Sequence, residues 1–211
     1  MYQIKVTIQS AAPIMMNRFT DEAAAKISAG SSSAITVSNK GTPREQATPK
    51  LYLSSDKKPM IPGPNIFAAL VAAGVFHKAG RKQITTGKSS LIPAGIMVDE
   101  MECPLFHPFD KDVKDLQWEV DSRSVVIPST GGRVMCHRPR FDVWALKFTL
   151  NVDEKMFDEA IVRLLVDDMG SKIGLGDFRP ARKGPFGRFN VAHWEVQKTK
   201  VGDDKKSTKA A

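Results

Sequence analysis

One stretch of the chain, Ile173-Gly-Leu-Gly-Asp-Phe-Arg-Pro-Ala-Arg-Lys-Gly-Pro-Phe-Gly-Arg-Phe189, holds four glycines, four cations and three phenylalanines. Glycine lets a backbone take up positive φ and come close to a ligand. Arginine and lysine neutralise phosphates, and aromatic rings stack on bases. Together in one connection, Gly174, Gly176, Gly184 and Gly187 with Arg179, Arg182, Lys183 and Arg188 suggest a clamp on a nucleic-acid backbone, the alternative being a surface loop that is glycine-rich for turning and basic for solubility. Phe178 and Phe186 stand ready either to stack on bases or to pack beneath the loop. A second basic cluster, Arg133, His137, Arg138 and Arg140, precedes a strand pattern and would widen the clamp into a groove if it lay alongside. Arg18, just after the first strand, can approach the same place.

Other chemistry is poorly supplied. The four histidines include no i, i+4 pair and no metal-ligand constellation, and the two cysteines, Cys103 and Cys136, form no CxxC, so neither a metal nor a cofactor is expected. His137, beside Arg138 and Arg140, is the best candidate for a general base, although a nucleic-acid contact or a plain strand position is the reading we favour for it. Gly87-Lys-Ser-Ser90 lacks the earlier glycine of a phosphate loop.

The net charge of +8 favours an anionic partner. No apolar run approaches the length of a membrane span, the longest being 66–76, and the N-terminus alternates like a strand instead of carrying a signal peptide's apolar core. With two unpaired cysteines, these features lead us to expect a cytoplasmic protein without a membrane partner.

Several elements must position these residues. Period-2 alternation predicts a strand over 2–10, and a clearer one over 141–152, with Trp144, Leu146, Phe148 and Leu150 on its apolar face. Residues 20–50 are small, polar and turn-rich, and are expected to form a projecting insertion with a hairpin around 34–37. Pro64 opens a helix expected to run to 78 and to stop at Gly80. An interrupted strand falls within 90–106, and Pro128-Ser-Thr-Gly-Gly132 joins a hairpin of 122–127 and 133–137. Asp153 is expected to cap a helix reaching 169, burying Met156, Phe157, Ala160, Ile161, Leu164 and Leu165 and ending at Gly170 as a C′ glycine. A last strand, 188–197, leads into a basic tail, 198–211, expected to be disordered. The order, with either the 90–106 strand or the hairpin second, is β-α-β-β-α-β, so the expected class is α+β with a ferredoxin-like, RRM-like core. Its antiparallel sheet would carry inserted loops, in one domain over 1–197, and leave one face free for single-stranded RNA.

Two segments carry a family resemblance. Gly174-Leu-Gly176, Arg182-Lys-Gly184 and Gly184-Pro-Phe-Gly187-Arg-Phe189 resemble the glycine-rich signature of the RAMP superfamily of CRISPR-associated proteins. Pro59-Met-Ile-Pro-Gly-Pro-Asn-Ile-Phe-Ala68 is similar to the helix opening of the backbone subunits of type III effectors. The resemblance implies guide-RNA binding, with Asn65 at the helix opening, stacking of copies of the chain with other effector subunits into a helical filament, and a thumb-like role for 20–50. Where the family has Ser-Ser-Leu-Lys-Gly, this chain has Pro64-Asn-Ile-Phe-Ala68, and Leu53 stands where type III backbone subunits carry a target-cleaving aspartate. Binding without cleavage is therefore implied. The same residues also admit a metal-independent ribonuclease of RAMP type using His137, a single-stranded DNA-binding protein on the same fold, or a structural protein whose basic loop joins subunits.

Overall fold

The computed structural model describes residues 1–29, 41–113, 116–127 and 131–198. The hairpin expected around 34–37, the turn residues 128–130 and the tail from 199 onwards lie outside them.

Alternation does what the pattern requires in strand β1 (Tyr2–Ser10), where Tyr2, Ile4, Val6 and Ile8 are buried. A bend leads into β2 (Ile14–Met15), followed by helix α1 (Asp21–Ser28) and the short helix α2 (Pro43–Ala47). Strand β3 (Met60–Pro62) runs directly into helix α3 (Gly63–Ala73). Next come a two-stranded ribbon, β4 (Lys78–Ala79) and β5 (Lys82–Gln83), one turn of helix α4 (Ile92–Gly95), β6 (Ile96–Val98) and β7 (Glu102–Pro104). The second half holds β8 (Glu119–Val126), β9 (Arg133–Phe141), β10 (Ala145–Val152), helix α5 (Glu159–Asp168) and β11 (Phe189–Lys198).

The protein is α+β with antiparallel sheets. The main sheet has the order β11-β1-β10-β6, with β1 pairing antiparallel to both neighbours. Helices α3 and α5 contribute Ile66, Leu70, Val162, Leu165 and Val166 to one core together with the even-numbered residues of β1 and β10. This arrangement is compatible with a ferredoxin-like core.

Several expectations are corrected. The second strand of the core is the three-residue β6; the β8–β9 hairpin lies in a separate sheet of order β2-β9-β8. Helix α3 ends at Ala73 because a 3-10 turn, Gly74–Phe76, follows, and Gly80 serves the ribbon turn at φ +60. The strand expected over 141–152 breaks after Phe141, where the chain leaves one sheet for the other. Helix α5 starts at Glu159, capped by Asp158, whose carboxylate accepts the Ile161 N–H at 2.8 Å. Asp153 instead caps a turn, accepting from Lys155 N at 3.0 Å. The buried stripe of the helix is Val162, Leu165 and Val166, while Ala160 is exposed and Leu164 is 49% exposed. Gly170 is no C′ residue. It sits in a π-turn, Met169–Ile173, where an added Cβ would lie 2.3 Å from the Phe189 carbonyl oxygen. Residues 41–50 of the insertion are ordered, with Thr42 and Glu45 forming a capping box on α2.

Candidate nucleic-acid interface

The connection from α5 to β11 doubles back on itself. Leu175 N donates to Gly187 O at 2.9 Å, Phe186 N to Phe178 O at 3.3 Å, and Gly187 N to Pro13 O at 2.7 Å, while Asp177 N reaches Met15 O at 2.8 Å. Two glycines make the fold-back possible. A Cβ at Gly184 would stand 1.8 Å from the Phe178 carbonyl oxygen, and one at Gly187, where φ is +71, would stand 1.8 Å from that of Leu175. No side chain fits there. The loop is thus built to bring two backbone segments of the chain into contact with each other.

Its aromatic residues turn inward. Phe178 and Phe186 pack at a centroid distance of 6.0 Å, Phe186 is buried, and the Arg123 guanidinium lies 5.0 Å over its ring. Packing beneath the loop is therefore the role the structure gives Phe186. The tip turns outward: a 3-10 turn, Pro180–Arg182, followed by Lys183 at φ +61, leaves Arg182 and Lys183 exposed. Neither side chain has a carboxylate partner among the described residues.

The second basic cluster does lie beside the loop, but two of its arginines are engaged. Arg138, 5% exposed, pairs with Asp177 at 2.7 Å and so fastens the loop to β9. Arg140 is held by Asp142 and Glu119, both at 2.7 Å, with Asp121 at 3.7 Å. Arg133 remains exposed, with one hydrogen bond to Ser124 Oγ at 3.4 Å. The His137 ring meets the Ser122 hydroxyl at 2.7 Å through Nδ1, and Lys50 Nζ donates to its carbonyl at 2.7 Å. Arg188 donates to the Ser171 carbonyl, and Arg18 pairs with Asp21 at 2.8 Å.

Between the loop and the start of α3 lies an open groove of about 240 Å³. Gly174, Gly176, Asp177 and Arg179 form one wall, and Asn17, Tyr52 and Asn65 line the rest. Arg179 donates to the Gly176 carbonyl at 2.8 Å. Burial, then the neighbouring Arg182, holds its pKa below the ordinary guanidinium range, with Asp177 opposing. It remains a cation, as guanidinium does in proteins. Of the residues singled out in the sequence, Asn65, Gly174, Gly176 and Arg179 line this groove, and Gly184 and Gly187 stand outside its lining. Asn17, Tyr52 and Asp177 also line the groove but are not singled out by the sequence, nor is Arg123, which lies over the Phe186 ring outside it. Asp177 sat in view inside the glycine run, whereas nothing local marks Tyr52 as a neighbour of that run.

The open face of the main sheet carries Gln3, Lys5, Thr7, Lys147, Thr149, Asn151, His193 and Glu195, and no Phe, Tyr or Trp ring from its strands. It lacks the Phe and Tyr pair with which an RRM sheet stacks bases. Among the described residues, no group of three or more His, Cys, Asp or Glu side chains is placed to hold a metal ion. No described helix is long and apolar enough to cross a membrane.

No protein-family model matches the chain, and no curated protein matches it. Among solved structures, it is similar to a chain in the cryo-EM structure of the Type III-B Cmr-beta bound to cognate target RNA. The TM-score is 0.51 at 10% identity, over 93% of this chain and 61% of that one, so this chain spans about three fifths of its neighbour's length. At that identity the likeness concerns the fold.

Proposed function

We propose that the protein is a non-catalytic RNA-binding subunit of RAMP type, built on a ferredoxin-like core, that holds guide RNA by its backbone and joins further copies and other subunits in an effector assembly. The observation that carries this reading is the open groove between Asn65 and the glycine-rich loop, with the unpaired cations Arg182 and Lys183 at the loop's tip. Exposed, unpaired cations give phosphate affinity, and the backbone of Gly174 and Gly176 allows close approach. Arg179, Arg188 and Arg133 extend the positive surface. Arg138, through Asp177, keeps the hairpin against the loop, and Arg140, through Glu119, Asp121 and Asp142, holds the hairpin itself together. A neighbour whose structure was solved bound to target RNA supports the same reading.

Nucleic acid should accompany the protein purified from cells. We expect RNase-sensitive, DNase-resistant material of defined length, and labelled RNA left intact by the protein in EDTA. A preparation free of nucleic acid that also fails to bind added RNA would remove the proposal, and cleavage in EDTA would favour the ribonuclease alternative.

A further inference from the structure

Residues 74–98 contain no Asp or Glu, yet carry Lys78, Arg81, Lys82 and Lys88. All four are exposed on or beside the β4–β5 ribbon, and none of their side chains has a hydrogen-bond or ion-pair partner among the described residues. Next to them Val75 and Phe76 are 45% and 48% exposed. Lys172 Nζ lies 4.6 Å over the Phe76 ring while pairing with Asp168, which also meets His77 at 2.9 Å. Lys172 adjoins Ser171, whose carbonyl accepts from Arg188 at the end of the glycine-rich loop. A chain of contacts therefore runs from that loop through the π-turn to an exposed ring flanked by cations.

We propose that the α3–α4 connection, residues 75–88, is a second contact for single-stranded RNA, continuing the path that starts in the groove; this rests on the RNA-binding reading above. Phe76 offers a ring on which a base stacks, and Lys78, Arg81 and Lys82 neutralise the phosphates beside it. An acidic protein surface would also answer the charge. The half-exposed ring within the cations favours a polynucleotide, which has both a π-face and a phosphate at every step.

The test compares the full chain with the Lys78→Gln/Arg81→Gln/Lys82→Gln variant, with Phe76→Ala and with Arg182→Ala/Lys183→Ala. Each is titrated with labelled RNA of about 5 and about 15 nucleotides, lengths that bracket one short site and a continued path. The triple variant should bind the short RNA as the parent does, lose about tenfold on the long one, and show a salt slope there shallower by about 2. Phe76→Ala should lose about fivefold on the long RNA alone, with the slope unchanged. Equal affinities of parent and triple variant for the long RNA would overturn the second contact, as would an equal loss at both lengths. If only the Arg182/Lys183 variant weakens binding, the ribbon assignment fails and the groove stands. If the parent binds neither length, both fail.

Discussion

Asp177 shows how one residue couples the loop's architecture to its surface. Its carboxylate takes the Arg138 guanidinium at 2.7 Å and its own chain's Phe178 N–H at 2.9 Å, while its backbone N–H is tied to Met15. Among the described residues, Arg138 Nε already has no hydrogen-bond partner. Asp177→Asn would therefore leave a buried cation uncompensated, and we expect a loss of about 3 kcal/mol in denaturant unfolding. Combining it with Arg138→Met should recover part of that loss, because both charges then leave together. Tyr2 gives a separate signal at alkaline pH. Burial first, then Asp158, Glu159 and Glu154, pushes its phenol up to about 12 from 10.0. A pKa raised in the folded state contributes stability that is complete below pH 10 and is lost as pH rises from 10 towards 12. Unfolding free energy measured across that window should fall more steeply for the parent than for Tyr2→Phe.

At the scale of elements, legibility followed length and periodicity. Strands β1 and β10 could be read because one face of each is apolar at every second residue. Strand β6 could not, since three residues cannot display a period. Helix α5 was misplaced because two aspartates five positions apart both offer a cap. Burial of Phe157 beneath Gly95, where a Cβ would meet its ring at 2.7 Å, keeps the intervening residues out of the helix. Asp158→Ala should thus lower stability by about 1 kcal/mol in thermal unfolding, and Asp153→Ala by less. The capping box of α2, Thr42 with Glu45, was written in the chain but sat inside a polar run that suggested only a loop. For the candidate site, the residue types of one wall were legible because they are consecutive. The opposite wall comes from Asn17, Tyr52 and Asn65, which only the fold brings together. Ion pairing was equally invisible: nothing in the order Arg138-Pro-Arg140 says that both arginines meet carboxylates from distant segments.

For the whole molecule, the net charge of +8 is unevenly used. Arg123, Arg138 and Arg140 hold the hairpin together and against the loop, whereas Arg182 and Lys183 have no such internal task. An RNA held by its phosphates must therefore depend on the second group, and binding must weaken with salt by roughly 0.7 in log–log slope for each contact on a single strand. The most direct measurement is an RNA titration over a range of salt with the parent and the Arg182→Ala/Lys183→Ala variant, which removes charge without disturbing any ion pair. The account predicts weaker binding at every salt concentration, irrespective of RNA sequence, and a slope shallower by about 1 to 2. Superimposable curves for the two proteins would contradict it.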